Sequence, residues 1–186
     1  MHRIDAAGPG AASCPLILVG MMGAGKSTVG RRLAKRLGRR FVDADATLEE
    51  RCGVTVSTIF DLEGEEGFRR REAALLEELT RTPSIVLATG GGAVLAAENR
   101  RLLHERGHVV YLKASPADLW HRLRRDRSRP LLRTANPRER IAELLAEREP
   151  LYESVAHSVV PTARQPIDQL VADIIERLPD SARPPA

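Results

Sequence analysis

Aromatic residues, lysines and cysteines are all scarce in this chain. Phe, Trp and Tyr make up 3% of its 186 residues, so few flat side chains are available to stack on single-stranded bases. The two cysteines, Cys14 and Cys52, lack the spacing of metal ligands, and we expect free thiols in a reducing cytoplasm. No apolar run approaches the roughly 18 residues of a membrane-spanning helix. We therefore expect a cytoplasmic protein without a membrane partner.

The basic residues are almost all arginine. Lys and Arg number 29 against 25 Asp and Glu, which gives a net charge of +4, and the only lysines are Lys26, Lys35 and Lys113. A basic chain can bind nucleic acid, but concentrated arginine serves a small polyanionic ligand equally well. Because aromatic residues are so few, we expect a small ligand and no nucleic acid.

Short apolar runs alternate with helical patterns along most of the chain, which predicts a parallel sheet covered by helices on both faces. We expect a disordered leader over residues 1–15, one domain over 16–178 and a flexible tail over 179–186. The predicted strands are 16–19, 40–42, 84–88, 109–112 and 159–160. The predicted helices are 28–37, 47–51, 57–62, 66–80, 99–106, 116–125, 138–156 and 167–178, with a kink or break at Pro150.

Residues 20–27, Gly-Met-Met-Gly-Ala-Gly-Lys-Ser, follow the first predicted strand and precede the first predicted helix. This is the phosphate-binding loop pattern, in which backbone N–H groups and the helix N-terminus face a phosphate chain. Lys26 is expected to reach the β- and γ-phosphates, and the Ser27 hydroxyl is expected to bind Mg²⁺. The pattern predicts that the chain binds a nucleoside triphosphate.

Two carboxylates, Asp43 and Asp45, follow the second predicted strand. In extended backbone, residues two apart point the same way, and open α/β sheets bind ligands at the carboxyl ends of their strands. One carboxylate could hold Mg²⁺ through water while the other accepts a hydrogen bond from a substrate hydroxyl. The pair could instead form a turn and a helix cap, since Asp45 lies four residues before Glu49, close to the spacing of a cap. Proximity to the phosphate loop favours the functional interpretation.

Two further motifs suit a small acid. Arg69 and Glu72 lie three apart on a predicted helix, so Arg69 could bind a carboxylate while Glu72 holds it, although a surface ion pair would look the same. Gly90, Gly91 and Gly92 end the third predicted strand, where a ligand could approach the backbone closely.

An arginine-rich stretch surrounds a loop-like segment in the second half of the chain. Residues 121–140 contain eight arginines, a composition typical of a mobile lid over phosphates and also of a solvated basic surface. We place the lid at about 121–137, and we select Arg129 within it and Arg148 in the next helix as functional candidates.

Taken in order, these motifs resemble the shikimate kinases, a family of nucleoside-monophosphate-kinase-like phosphate-loop enzymes. The resemblance extends from about residue 16 to about residue 178 and implies a three-layer α/β/α fold with a central parallel sheet of about five strands and a mobile lid. It is carried by residues 20–30, 41–45, 63–72, 89–94, 129–132 and 148–152.

The resemblance implies ATP-dependent phosphorylation of the 3-hydroxyl of shikimate, on the route to chorismate and the aromatic amino acids, by a monomer that uses Mg²⁺. Its catalytic residues would be Lys26, Asp45 and Arg129. Shikimate would be bound by Asp45, Arg69, Gly91 and Arg148, and Mg²⁺ by Ser27 and Asp43. ATP would be bound by Gly23, Ala24, Gly25, Lys26, Ser27, Thr28, Arg122 and Arg129, with Arg122 stacked on adenine.

Other functions fit parts of the pattern. A gluconate kinase or another small-molecule kinase of the same group also needs the phosphate loop and carboxylate-binding groups. A nucleotide-dependent nucleic-acid-binding module would explain the basic charge and predicts salt-sensitive binding without turnover of a small acceptor. A degenerate, non-catalytic nucleotide binder is disfavoured because Lys26, Ser27 and Asp45 are all present.

Overall fold

Five strands form one parallel sheet in the computed structural model, which describes residues 14–126, 130–162, 165–179 and 182–183. The strands, in chain order, are β1 (Leu16–Val19), β2 (Arg40–Asp43), β3 (Ile85–Ala88), β4 (His108–Lys113) and β5 (Ser158–Pro161). Their order across the sheet is β2-β3-β1-β4-β5. Every residue of β1 and β3 is buried, because helices cover both faces of these central strands. The predicted three-layer α/β/α fold is confirmed.

The helices connect the strands and form the two outer layers. They are α1 (Lys26–Leu37), α2 (Ala44–Cys52), α3 (Val56–Leu79), α4 (Ala97–Arg106), α5 (Pro116–Leu123), α6 (Pro137–Val155) and α7 (Ile167–Glu176), with a short 3₁₀ helix at Pro130–Leu132. Helix α1 packs against α7, whereas α4 packs against α3 and α6. None of the helices in the described part of the chain is both long and apolar enough to cross a bilayer.

Helices α3 and α6 differ from the sequence prediction. The two helices expected at 57–62 and 66–80 meet at Gly64, whose φ of 70° and ψ of −178° bend α3 without a connecting loop. Residues other than glycine rarely adopt this backbone conformation. Of the kink or break expected at Pro150, the break is wrong, because α6 continues through this residue, and the kink stays a prediction. Buried side chains on both sides, Arg148 and Tyr152, hold that part of α6 against the protein.

The predicted lid and chain ends are described only in part. Arg129 lies outside the described residues, as do residues 1–13 of the predicted leader. Pro15 at the end of that leader is buried, and its carbonyl accepts a hydrogen bond of 2.9 Å from the His108 N–H. In the predicted tail, Ala182 is buried and its carbonyl accepts a 2.9 Å hydrogen bond from Arg39 Nη2.

Three histidines stack at the amino-terminal edge of the sheet. The His157 ring lies 4.2 Å from the His104 ring and 5.1 Å from the His108 ring, measured between centroids. The Val109 N–H donates to His157 Nδ1 at 3.1 Å, so this nitrogen carries a lone pair rather than a proton. His104 Nδ1 lies 3.1 Å from the Val155 carbonyl oxygen. Burial lowers the pKa of His108 and of His157, and a neighbouring imidazole lowers each pKa further.

We expect this histidine stack to make the protein less stable in mild acid. These histidines have a lower pKa in the folded chain than the ordinary value of about 6.5. Below about pH 6.5 the unfolded chain therefore binds more protons than the folded chain does. The free energy of unfolding should therefore fall as the pH drops below about 6.5. Urea unfolding between about pH 5 and pH 7.5 would measure this fall. His157→Gln should flatten the dependence, and the control His121→Gln, which lies outside the stack, should not. Equal slopes in both variants would contradict the prediction.

Candidate active site

The phosphate loop connects β1 to α1 at the carboxyl edge of the sheet. Gly23 and Gly25 have φ angles of 79° and 97°, a left-handed conformation that glycine adopts without strain. Lys26 begins α1, two residues earlier than predicted, and is only 8% exposed. Its Nζ donates to the carbonyl oxygens of Gly20 at 2.7 Å and Met21 at 2.9 Å. The loop therefore folds around its own lysine, with the ammonium group held beside the backbone that is expected to receive phosphate.

Ser27 and Asp43 meet across the start of this loop. The Ser27 hydroxyl donates to Asp43 Oδ2 at 2.5 Å, and Asp43 Oδ1 accepts from the Ala46 N–H at 3.2 Å. Asp43 thus caps α2, which begins at Ala44, so Asp45 lies in the first helical turn. The expectation that Asp43 and Asp45 share an extended backbone is wrong. The alternative cap at Asp45 is also wrong, because Asp43 is the cap residue, and its second oxygen accepts from Ser27.

The oxygen atoms of Ser27 and Asp43 suit magnesium. Mg²⁺ prefers oxygen ligands and usually binds one or two protein side chains together with waters and substrate phosphates. The described residues contain no cluster of three or more His, Cys, Asp or Glu side chains that could enclose a metal by themselves. The donor set therefore fits a metal that arrives with a phosphate chain.

A cavity of about 680 Å³ lies over the phosphate loop. Of the predicted nucleotide and metal residues, it is lined by Gly23, Gly25, Lys26, Ser27, Thr28, Asp43 and Arg122. Ala24 is buried. The residues predicted to bind nucleotide and metal therefore lie together at this cavity, apart from Ala24 and from Arg129, which is outside the described residues.

The edge of the Arg122 guanidinium group is hydrogen-bonded to the phosphate loop. Its Nη1 donates to the carbonyl oxygens of Gly23 at 3.1 Å and Ala24 at 3.3 Å, and its Nη2 donates to the Thr162 carbonyl at 3.1 Å. These hydrogen bonds lie in the guanidinium plane, whereas an aromatic ring would stack on its face. The predicted stacking on adenine stays a prediction that this geometry permits.

A smaller cavity of about 60 Å³ adjoins the first, and its lining contains all four predicted substrate residues. These residues are Asp45, Arg69, Gly91 and Arg148. Asp45 and Gly91 line both cavities, so they lie where the two meet. The structure therefore brings together side chains that are up to 103 positions apart in the chain, from Asp45 to Arg148.

Arg69 is held between two carboxylates and an aromatic ring. Its Nη1 donates to Glu72 Oε2 at 2.7 Å, its Nη2 donates to Glu65 Oε1 at 3.0 Å, and its Cζ lies 5.1 Å from the Phe68 ring centroid. Burial opposes the charge of Arg69, but the two carboxylates outweigh burial and raise its pKa. The guanidinium therefore stays charged, in a fixed orientation, at the wall of the smaller cavity.

Arg148 and Glu72 are charged side chains that are each only 2% exposed. Arg148 Nε and Nη1 are buried and have no hydrogen-bond partner among the residues that the structure describes. Burial raises the pKa of Glu72, and the Arg69 charge partly opposes this shift. A buried guanidinium with unsatisfied donors is costly unless an anion satisfies them, so this cavity is suited to a carboxylate ligand.

The glycine triplet allows these charged groups to converge. A Cβ atom at Gly90 would lie 3.0 Å from Asp45 Oδ1 and would collide with Glu72 Oε1. At Gly92 a Cβ atom would collide with the Arg69 guanidinium. The triplet therefore leaves room for three charged side chains, and the close approach of a ligand to its backbone stays a prediction.

Sequence reasoning missed the apolar part of the site. Val56 and Phe60 line the smaller cavity, and the Phe60 ring lies 4.7 Å from the Phe68 ring. With only three phenylalanines in the chain, two of them eight positions apart beside Arg69 were a signal that could have been used. The hydrogen bond from the Tyr152 hydroxyl to the Gly91 carbonyl was also missed.

Comparison with known proteins identifies the family. The shikimate kinase family profile matches residues 22–179, which is most of the chain. The chain belongs to the shikimate kinase family. It is 58% identical to the shikimate kinase of Bordetella pertussis over 164 residues, covering 88% of this chain and 78% of that one. It is 50% identical to the shikimate kinase of Nitrosospira multiformis over 177 residues, covering 95% and 91% of the two chains.

Solved structures separate this family from its neighbours. The shikimate kinase of Acinetobacter baumannii, solved in complex with shikimate, has a TM-score of 0.86 and 46% identity and covers 88% of this chain and 92% of its own. A gluconokinase from Sinorhizobium meliloti has a TM-score of 0.56 at 17% identity, covering 89% of this chain and 91% of its own, and shows a shared fold only. The predictions of fold, family and kinase chemistry are confirmed.

Proposed function

We propose that this protein transfers the γ-phosphoryl group of ATP to the 3-hydroxyl of shikimate, on the route to chorismate and the aromatic amino acids. The observation that carries this proposal is the junction at Asp45, which lines both the phosphate-loop cavity and the cavity containing Arg69 and Arg148. An acid whose carboxylate is held by the two arginines would place a hydroxyl group beside Asp45. At this junction the hydroxyl would also face the end of a triphosphate bound in the larger cavity.

Arg69 and Arg148 bind the shikimate carboxylate in this proposal, and the Gly91 backbone contacts the same molecule. Asp45 binds the hydroxyl groups, orients the attacking one and accepts its proton. Lys26 leaves the Gly20 and Met21 carbonyls and donates to the phosphates. Because phosphoryl transfer depends on positioning and neutralisation of charge, no covalent nucleophile is required.

The remaining nucleotide groups act from the phosphate loop and the lid. Gly23, Ala24, Gly25 and Thr28 contribute backbone or hydroxyl groups to the phosphates, Arg122 contacts adenine, and Arg129 neutralises charge on the transferring group. Ser27 would hold Mg²⁺ directly and Asp43 would hold it through water. When bound, the ion would neutralise the phosphate charge that develops during transfer.

An assay of ADP release over shikimate, gluconate and nucleoside monophosphates tests the proposal. We expect turnover with shikimate at a kcat/KM at least a hundredfold above that with the other acceptors, since a site built for one set of polar groups rejects a ligand that leaves them unpaired, typically by about 10⁴-fold. Turnover restricted to gluconate or to nucleotides would overturn it, as would nucleic-acid binding without turnover of any small acceptor.

Removing one of the two arginines should mainly weaken acid binding. Arg69→Ala should raise KM for shikimate by about 10- to 100-fold, the equivalent of one charge-assisted hydrogen-bond pair, with a smaller change in KM for ATP. The matched control is Arg70→Ala. Arg70 is 69% exposed, pairs with Glu66 at the surface and should leave both constants unchanged. Steady-state kinetics with each substrate varied in turn measures the difference, and equal effects of the two variants would exclude Arg69 from the acid site.

We also propose that the protein acts as a monomer in the cytoplasm, where ATP is available. Both cysteines are free thiols, which suits a reducing compartment. The exposed large apolar side chains in the described ranges are Val54, Leu62 and Val159, too few for a permanent subunit interface. Sedimentation at micromolar concentration tests the oligomeric state, and a stable dimer would refute this part of the proposal.

A further inference from the structure

The three carbonyl groups of the glycine triplet are held in different ways. The Gly90 carbonyl accepts from the Ala93 N–H at 3.2 Å, and the Gly92 carbonyl accepts from the Leu95 N–H at 3.0 Å. Both of these hydrogen bonds are local. The Gly91 carbonyl instead accepts a short hydrogen bond from the Tyr152 hydroxyl, which comes from α6. The middle peptide of the triplet is thus held by a distant element.

Tyr152 reaches this carbonyl from the centre of the protein. Its side chain has no exposed surface, its ring stacks on the Tyr111 ring at 5.1 Å between centroids, and its hydroxyl lies 3.7 Å from Met21 Sδ. Burial raises the pKa of Tyr152, so the hydroxyl keeps its proton at neutral pH and acts as a donor. The hydroxyl therefore lies between the glycine triplet and the phosphate loop.

Helix α6 carries both Tyr152 and Arg148. The two residues are four positions apart, so they share a face of the helix, and both are buried. The hydrogen bond from Tyr152 therefore joins α6 to the backbone of the glycine triplet. Arg148, one turn earlier on α6, and the triplet both line the smaller cavity. Gly91 also packs on the phosphate loop, since a Cβ atom there would lie 3.2 Å from the Met22 nitrogen.

We infer that Tyr152 is a positioning residue for acid recognition: its hydroxyl fixes the Gly91–Gly92 peptide and keeps Arg148 and the glycine triplet in register around the acid. A peptide between two glycines can rotate easily because no side chain restricts it. One hydrogen bond to its carbonyl therefore sets the orientation of the whole peptide unit. This inference rests on the proposed function, in which the acid bound in the smaller cavity is shikimate.

The neighbouring Tyr111 provides a matched control. Tyr111 is equally buried and stacks on Tyr152, but its hydroxyl has no hydrogen-bond partner among the described residues. Tyr152→Phe and Tyr111→Phe each remove one buried hydroxyl group and keep both aromatic rings. They differ in whether the lost hydroxyl held the glycine triplet.

The test compares kinetics and backbone signals of the two variants. Tyr152→Phe should raise KM for shikimate about five- to tenfold, the effect of losing one net hydrogen bond, with KM for ATP changed less than about twofold. In the ligand-free protein, the NMR signal of the Gly92 amide, which belongs to the same peptide unit, should shift or broaden. Tyr111→Phe should leave KM for both substrates and the Gly92 signal as in the wild type.

The outcomes separate this inference from the proposed function. Identical behaviour of the two variants would overturn the inference, as would an equal loss of affinity for both substrates together with a lower melting temperature. If the wild type did not turn over shikimate, the proposed function would fail. The Gly92 amide of ligand-free Tyr152→Phe would then still decide whether Tyr152 holds the peptide.

Discussion

Replacing Lys26 with alanine should lower kcat by about 10²- to 10³-fold, the usual effect of removing one preorganised donor from a developing negative charge. The ammonium group is held by the Gly20 and Met21 carbonyls at the base of the phosphate-loop cavity, where it is largely shielded from water. At such a site its charge would act on a bound phosphate chain more strongly than the charge of a solvated lysine would. ADP release at saturating substrates would measure the loss.

The control for this substitution is another lysine of the same helix. Lys35 is exposed near the end of α1, and Lys35→Ala should leave kcat within about twofold of the wild type, as surface substitutions usually do. Circular dichroism should show that both variants are folded. A Lys26→Ala protein with a normal rate would show that the loop does not act on the transferring phosphate.

Asp45→Asn should lower kcat by about 10²- to 10⁴-fold, the range found for loss of a general base. Asparagine keeps the shape of the side chain but cannot take the proton of the attacking hydroxyl. Binding of ATP should change little, because the phosphate loop is intact. The melting temperature should be unchanged or higher, since burial and, to a smaller extent, the Asp45 charge raise the pKa of Glu72, and removing that charge makes the ionised form of Glu72 less costly.

Asp168→Asn is the control for the loss of one carboxylate. Asp168 is 65% exposed on α7 and pairs with Arg32 at the surface, so its replacement should leave turnover unchanged. Near-normal turnover in Asp45→Asn would exclude a proton-accepting role. A fall in kcat accompanied by an equal loss of stability would indicate misfolding rather than missing chemistry.

The central strands and the phosphate loop could be predicted because their signals are local. Strand β1 occupies the predicted residues because its uninterrupted apolar run has no stable place except the interior of a parallel sheet. The loop needs glycines, lysine and serine at fixed spacing, and the positive φ angles of Gly20 (144°) and Gly25 (97°) explain the two required glycines.

Contacts between distant segments could not be derived from spacing alone. Nothing near Arg148 in the chain shows that it lines the same cavity as Arg69, and the resemblance to a known family supplied that pairing. The extended geometry expected for Asp45 failed because the Asp43 carboxylate starts a helix immediately after β2. In the same way, α6 continues through Pro150 because burial of Arg148 and Tyr152 outweighs the local cost of proline.

The two carboxylate oxygens of Asp43 make separate hydrogen bonds, and this limits how variants of Asp43 can be interpreted. One oxygen starts the helix that carries Asp45, and the other meets the Ser27 hydroxyl. If Asp43 and Asp45 have the roles proposed above, a slower Asp43→Ala enzyme would combine weakened binding of magnesium with a displaced proton acceptor. Titrating the rate with metal could restore only the first of these losses, so the residual deficit at saturating magnesium would measure the second.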